Sequence, residues 1–477
     1  MLVDKNKLQR GLSAPNQRPN RRVSTWLIGF HRDESGVMIA FSIFLLLIIF
    51  MIGGLGVDFM RFEMTRSRLQ SVNDRAVLAA ADLDQTLVPA VVVADYFNKA
   101  GMSEYLTGVT VDDGLNYRTV TANAMIDLPT SFIHMLGVDS LRAPSQAKAE
   151  ERVANVEISM VLDISGSMSS NSRIQNLRNA GKVFVDTVIR PESTDLISLS
   201  LVPYSEHVNI GPDLYGELNT NTVHDYSHCV EMPDSAFDSV ALNTASTFDQ
   251  VQHFQWIGSS NDRTRTVCPR YDFERIRPIS QNATQLKSQI DDLQPRSYTS
   301  IFLGMKWGAA LLDPSMRTIT TNLISAGKID AAFSGRPADY SDTETLKTII
   351  LMTDGENTES KRISSFVYAN ENHRTHWDRY NFTYYINRYV SSSSRGNWWS
   401  WKYRDWQGDA LLDNICDATK AAGIIVWTIG LEVTNHGADV MRQCASSPSH
   451  YFRVEGIELS EAFRAIARQI NQLRLIQ

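Results

Sequence analysis

Val156-Glu157-Ile158-Ser159-Met160-Val161-Leu162 runs without a break into Asp163-Ile164-Ser165-Gly166-Ser167-Met168. The first seven residues are apolar or alternate with apolar positions, the pattern of a buried strand. The next six carry oxygen-bearing side chains at every second position. Gly166 lets the backbone turn tightly enough to aim Ser165 and Ser167 at one point. Two further segments have a similar character. Thr299 stands in Tyr298-Thr299-Ser300-Ile301-x-x-Gly304, and Asp354 follows the apolar run Thr348-Ile349-Ile350-Leu351-Met352-Thr353 in Asp354-Gly355-Glu356. Taken singly, each is an ordinary turn or helix cap, since Ser, Thr and Asp are the usual capping residues. Three of them in this order, each at a strand end or a helix start, form a more specific signal.

Working outward, apolar runs at 196–202, 348–352, 423–429 and 451–454 alternate with amphipathic stretches at 173–188, 301–312, 410–422 and 460–473. That alternation predicts an α/β domain over 152–477, built on a doubly wound, mostly parallel sheet. Ligands bind such sheets at the carboxyl ends of the strands, where Asp163 and Asp354 fall. Residues 205–295 and 357–408 exceed what the fold needs and read as large insertions near that edge, where long ordered loops often carry function.

The Asp163-x-Ser165-x-Ser167 turn, with Thr299 and Asp354, resembles the metal ion-dependent adhesion site of von Willebrand factor type A domains. The resemblance implies Asp163, Ser165, Ser167, Thr299 and Asp354 as metal-binding residues. These are hard oxygen donors, suited to Mg²⁺ first, with Mn²⁺ or Ca²⁺ as alternatives, and poorly suited to zinc or copper. In that family the hydroxyls bind directly and the aspartates often act through water, which leaves the protein's share short of negative charge. A protein ligand supplying a carboxylate would complete it.

The chain has 477 residues, 43% of them hydrophobic, and a net charge of −7, which gives no reason to expect a nucleic-acid partner. No charged residue occurs over 37–57, a span long enough to cross a bilayer as a helix. Lys5, Lys7, Arg10, Arg18, Arg21, Arg22 and Arg32 precede it, whereas Asp58, Arg61, Glu63, Arg66 and Arg68 follow with mixed sign. The positive-inside rule then predicts a single-pass protein of the bacterial inner membrane, its N-terminus cytoplasmic and its bulk periplasmic. A cleaved secretory signal competes, but the run is long for a signal core and no small-x-small site closes it. All four cysteines, Cys229, Cys268, Cys416 and Cys444, follow the span on the oxidising side. Three pairings are possible; loop position favours Cys229 with Cys268 and Cys416 with Cys444. His224, His228, Cys229 and Cys268 offer a rival reading as a zinc site, at a spacing unlike that of a compact zinc module.

Residues 1–35 are polar and read as a cytoplasmic tail. Helical spacing continues past the span to about residue 83, so the membrane helix (36–58) is expected to extend into a stalk region over 59–151, with short alternating strands from about 90 to 150. Arg32-Asp33-Glu34-Ser35-Gly36, the apolar helix, Gly56-Val57-Asp58 and the run from Gln70 to Ala81 together resemble the N-terminus of TadE/TadG-like proteins of the tight-adherence (Flp) pilus system. Pro129 to Gly137 and Ala147-Lys148-Ala149 resemble the strand-rich end of that same region, and the carboxyl-end segments Cys416 to Gly430, Cys444-Ala445-Ser446 and Leu473-Arg474-Leu475 are similar to the TadG branch. The position five residues after Gly36 is Phe41 and not glutamate, which favours an intact anchor over prepilin-type processing.

These readings converge on a membrane-anchored pilus-assembly or adhesion protein that works with other pilus-assembly components. A structural anchor with a vestigial metal site is one alternative. A metal-dependent hydrolase is another, for which no general base stands beside the motif. No Gly-x-x-x-x-Gly-Lys-Ser/Thr loop is present to bind a nucleotide. The aromatic run Trp398-Trp399-Ser400-Trp401-Lys402-Tyr403-Arg404-Asp405-Trp406 is read first as the core of its own insertion and second as a binding anchor, and Ser391 to Ser394 as a linker within it.

Overall fold

The computed structural model describes residues 35–82, 85, 87–113, 117–152 and 155–476; the tail read over 1–34 lies outside them. The chain divides into two units, one holding residues up to 113 with 118–150, the other 114–117 with 151 onward.

The first unit is organised by one helix, α1 (Ser35–Ala81), of 47 residues. Its first part is uncharged and its side chains are exposed over 37–57, apart from half-buried Ile48 and Leu55 and buried Gly54. This segment is long and apolar enough to cross a membrane. A helix satisfies its own backbone hydrogen bonds there, so glycines 53, 54 and 56 do not break it. Beyond the apolar part, Leu69, Ala76, Val77 and Ala80 face inward. They pack with Val92, Val93 and Phe97 of α2 (Pro89–Lys99) and with a three-stranded sheet in the order β1 (Leu106–Asp113), β2 (Tyr117–Pro129), β3 (Ser140–Arg152). β1 and β2 run antiparallel. Inward positions keep the strand period of two: Val120, Ala122, Ala124 and Ile126 on β2, and Ala143, Ala147 and Ala149 on β3. Asn73 is buried in this contact, where its amide donates to the Ala122 carbonyl and the Ser145 hydroxyl. The strand pattern expected from about residue 90 therefore begins later. Val91-Val92-Val93 is β-branched and favours strand locally, but Pro89 at the first turn and the burial of one face hold it helical.

The second unit is built on β4 (Asn155–Asp163), α3 (Arg173–Val188), β5 (Ile197–Tyr204), β6 (Arg277–Ser280), α4 (Ala283–Asp292), α5 (Ile301–Ala310), α6 (Arg317–Ser325) and β7 (Thr345–Thr353). It continues through β8 (Ser360–Ile363), α7 (Glu371–Arg379), α8 (Phe382–Tyr389), β9 (Trp399–Tyr403), α9 (Asp405–Ala421), β10 (Ile425–Leu431), α10 (Asn435–Cys444), β11 (Tyr451–Val454) and α11 (Glu458–Ile476). The main sheet has the order β11-β10-β7-β4-β5-β6. Its first five strands are parallel, whereas β6 lies antiparallel on β5 at the edge, so the sheet is mixed. Both faces of β4 are buried: Ile158, Met160 and Leu162 on one, Ser159 and Val161 on the other. This explains why the strand reads as a near-continuous apolar run.

α5 lies against this sheet with all ten residues buried. A side chain at Gly304 would come within 2.6 Å of the Tyr204 ring, and one at Gly308 would collide with Val161. Two glycines one turn apart thus set how closely the helix approaches β4 and β5. α3 packs on α11, with Phe184 and Phe463 edge to face at 5.8 Å, and on α4, where Gly181 meets Ile290.

The two insertions are smaller than the sequence suggested. The interval 205–295 ends in β6 and α4, which belong to the sheet and its helical layer, and 357–408 overlaps α9, which starts at Asp405. β6 was hard to foresee because it is four residues long and contains Pro278, tolerated only at a sheet edge. What remains of the two insertions packs together around Phe254, Trp256, Ile363, Trp377, Phe382 and Ile386. The aromatic run serves largely as this shared core; Trp406 alone of its tryptophans is clearly exposed, at 66%. Ser391 to Ser394 forms a hydrogen-bonded turn between α8 and the next short helix, in place of a linker.

The cysteines pair as loop position favoured, Cys229 with Cys268 and Cys416 with Cys444. The second bridge ties α9 to α10. Closing loops of 39 and 28 residues contributes about 3–4 kcal/mol each in the chain-entropy account. Mass mapping of non-reduced peptides should recover these two links and no other. Gly308→Val is expected to cost about 1–3 kcal/mol by overpacking α5 against Val161; an unchanged melting temperature would contradict the close approach.

Candidate metal centre

Strand register brings the sequence-distant residues together. β4 lies between β5 and β7, with Asp163 opposite Tyr204 and Leu162 opposite Met352, so Asp163 and the Thr353-Asp354 pair emerge side by side at the carboxyl edge. Asp163 is fully buried. Its Oδ1 accepts the Ser165 N–H at 2.8 Å and its Oδ2 accepts the Thr353 hydroxyl at 2.7 Å. The Ser165 and Ser167 hydroxyl oxygens are 3.0 Å apart, and Ser167 donates to Asp354 Oδ1 at 2.6 Å. Asp163, Ser165, Ser167 and Asp354 therefore form one connected cluster.

Thr299 enters through its backbone. The Gly166 N–H donates to the Ser297 carbonyl at 2.9 Å, and a side chain at Gly166 would stand 3.0 Å from that oxygen. On the other side, the Thr299 N–H donates to the Thr358 hydroxyl at 2.8 Å and the Thr358 N–H returns to the Thr299 carbonyl at 2.9 Å. The Thr299 loop is thus stitched between the turn after β4 and the loop after β7.

Three residues of this neighbourhood were not singled out from the sequence. Arg173, at the start of α3, donates from Nη1 to Asp354 Oδ2 and from Nε to Glu432 Oε2, both at 2.9 Å. It follows Asn171 and Ser172, both left-handed at φ 51° and 59°, and Glu432 is itself at φ 54°. Non-glycine residues held in that region are uncommon and cluster at functional sites. Glu206 is the third. Its buried carboxylate accepts Trp256 Nε1 at 3.0 Å, the Ser360 hydroxyl at 2.9 Å and the Ser297 hydroxyl at 2.9 Å, while its carbonyl accepts the Ser300 hydroxyl at 3.0 Å. It braces the Thr299 loop against both insertions. The available signal was a carboxylate two residues past an apolar strand.

The electrostatics follow from burial. Desolvation, then the nearby Asp354 charge, pushes the Asp163 carboxyl up to about 7. Burial also raises Asp354, opposed by the Ser167 hydroxyl and the Arg173 guanidinium. One guanidinium, shared with Glu432, balances Asp354. The residues fit a hard divalent ion: added positive charge would relieve the repulsion between Asp163 and Asp354, and two serine hydroxyls stand at the same edge as neutral oxygen donors. The rival zinc reading fails because Cys229 and Cys268 are joined to each other. His224 instead bonds the Val251 carbonyl through Nε2 at 2.9 Å.

Next to Thr299, Tyr298 stacks on Trp256 at 4.6 Å, and the Lys361 ammonium sits over Trp256, Trp399 and Trp401 at 4.2, 3.9 and 4.6 Å. The insertion core is thereby continuous with the loop that carries Thr299.

Residues 36–83 match the family described as Flp pilus-assembly TadE/G-like. The chain therefore carries a TadE/G-like region at its N-terminal end. A search of curated proteins found no match. Among solved structures, the chain is similar to the von Willebrand factor domain of the type V pili tip protein Mfa5 from Porphyromonas gingivalis, at 15% identity and a TM-score of 0.35, covering 68% of this chain and 97% of that one. It is also similar to the pilus adhesin SpaC from Lactobacillus rhamnosus GG, at 14% identity and 0.34, covering 77% of this chain and 34% of that one. For the pilus adhesin RrgA from Streptococcus pneumoniae the values are 10% and 0.33, covering 77% and 50%.

Arg173→Ala would leave the buried Asp354 carboxylate without its guanidinium and should destabilise the second unit by about 3–5 kcal/mol. Chemical denaturation beside the unaltered protein reads this directly, and a change under about 1 kcal/mol would show the pair to be dispensable.

Proposed function

We propose that this chain is a membrane-anchored component of pilus assembly or attachment, whose α/β domain binds a protein partner through a divalent cation. The observation that carries the reading is the convergence of Asp163, Ser165, Ser167 and Asp354 at the carboxyl edge of the sheet, with the Thr299 loop fastened between their two loops. Ser165, Ser167 and Thr299 would hold the ion through hydroxyls, with Asp163 and Asp354 supporting it as charged neighbours. A bound dication would supply an electrophilic seat for a partner's carboxylate. The Asp163 bonds to Ser165 and Thr353 keep the turn in shape, and the Ser297 brace from Glu206 holds the third loop at the same edge.

The TadE/G-like match over 36–83 supports placement among pilus-assembly components. The charge asymmetry about α1 supports an N-terminus in the cytoplasm of a bacterial cell, with the second unit across the inner membrane. Two disulfides in that unit agree with an oxidising compartment.

Calorimetric titration of Mg²⁺ and Mn²⁺ into the detergent-solubilised full chain tests the site. Thr299→Ala, and Ser165→Ala with Ser167→Ala, should each weaken binding at least about tenfold, a loss of about 1.4 kcal/mol, while circular dichroism stays unchanged. Equal binding by all three proteins would remove the assignment. Loss of metal with pilus assembly and attachment intact would favour a structural anchor with a vestigial site. Topology is tested separately: a reporter active only in the periplasm, fused after Gln477, should be active, and a working cytoplasmic reporter at the same place would reverse the orientation.

A further inference from the structure

The connection between β2 and β3 is short and exposes apolar side chains beside one ion pair, His134 with Asp139 at 2.7 Å. Phe132, Met135, Leu136 and Val138 are 42%, 84%, 56% and 40% accessible. Four large apolar side chains on one such tip are unusual for a surface in water. The tip is nevertheless built and fixed. The Asp58 carboxylate on α1 accepts the backbone N–H groups of Ser131, Phe132 and Ile133 at 3.1, 2.7 and 2.9 Å. One turn on, Arg61 donates to the Ser131 hydroxyl at 2.8 Å. The Phe132 ring rests directly on Gly54, where any side chain would collide with it. Gly137, at φ 83°, closes the single helical turn Ile133–Leu136.

These contacts fix the height of the tip along α1. Gly54 lies 17 residues beyond Val37 and Asp58 lies 21 beyond it, about 26 and 32 Å at a rise of 1.5 Å per residue. The hydrocarbon layer is about 30 Å thick. Phe132 therefore meets α1 inside the uncharged, outward-facing belt of 37–57, and Asp58 and Arg61 meet it where that belt ends.

We propose that the tip formed by Phe132, Met135, Leu136 and Val138 is a second membrane contact, seated in the interfacial region of the bilayer leaflet beside the outer end of α1. The occupant of this surface is lipid, because the tip is continuous with the apolar belt of a helix that itself faces outward, and because Arg61 stands beside it at the level of the phosphates, where a cation is favoured. The contact fixes the first unit to the membrane at two places, so the helix beyond Asp58 leaves the surface in a defined direction. It also gives Gly54 a task within one chain, as the seat of Phe132, in place of helix-to-helix packing.

The proposal rests on α1 crossing the membrane, and the experiment separates the two. Both disulfides leave no free thiol among the described cysteines, so Met135→Cys provides a single labelling site in the full chain, and Val111→Cys on β1 provides a control in the same unit. Each is labelled with an environment-sensitive fluorophore and reconstituted in liposomes containing lipids with a nitroxide on the acyl chain. The Met135→Cys label should be quenched by the nitroxide lipid, blue-shifted and protected from iodide, whereas the Val111→Cys label should show the reverse. Asp58→Asn, which weakens the backbone anchor, should reduce the lipid quenching. Iodide access at Met135→Cys equal to that at Val111→Cys, in protein that resists carbonate extraction, would overturn the lipid contact alone. Energy transfer between Met135→Cys labels on different chains without lipid quenching would assign the tip to a second copy and overturn it too. Extraction by carbonate would overturn the spanning helix itself.

Discussion

The buried carboxylate of Asp163 is the constraint on which the carboxyl edge of the sheet depends. It sits at the end of the central strand, between β5 and β7, and is satisfied by one backbone N–H from its own turn and one hydroxyl from the neighbouring strand. Those two bonds force the Ser165-Gly166-Ser167 turn to fold over the sheet edge toward Asp354. A carboxylate so deeply placed is costly to keep charged, and a second one lies nearby. The arrangement answers the cost with a backbone N–H and a hydroxyl donor on Asp163 and with the Ser167 hydroxyl and Arg173 on Asp354.

Close approach is the second organising theme. Gly304 and Gly308 let α5 lie flat on β4 and β5, and the loop that begins α5 is the one that carries Thr299. Gly166 lets the turn after β4 touch the Ser297 carbonyl. On α1, Gly54 plays the corresponding part for Phe132. In each case the missing side chain sets a distance between two elements, and the chemistry at that place depends on the distance.

The insertions contribute rigidity to this edge. Trp256 and Ser360 come from different insertions and meet on Glu206, whose other oxygen holds Ser297. Lys306, on α5, reaches into the first insertion and donates to the carbonyls of Ser239, Val240 and Ala241 at 2.7, 3.1 and 2.9 Å. Burial lowers its ammonium to about 8. The sheet edge is therefore braced from the first insertion, through Lys306 and through the Tyr298 ring stacked on Trp256.

By itself the sequence determined the elements whose signal is local. The apolar strand into Asp163, the amphipathic period of 173–188 and the uncharged stretch of 37–57 are patterns of neighbouring residues, and β4, α3 and the long helix follow from them, while the cysteine positions favoured one of three possible pairings. The oxygen-bearing residues of the candidate site could be picked out because each follows a strand or precedes a helix. Tertiary structure decided what depends on partners far apart in the chain. β6 becomes a strand only because β5 offers an edge, and α2 is helical because its valines have a sheet to cover. Arg173 and Glu206 matter because of carboxyl and hydroxyl groups more than 50 residues away, and no spacing rule encodes such a meeting. The segment from Pro129 to Gly137 resembles the strand-rich end of its region in sequence; its hydrogen bonds to Asp58 and the Phe132 ring on Gly54 fix its height on the helix.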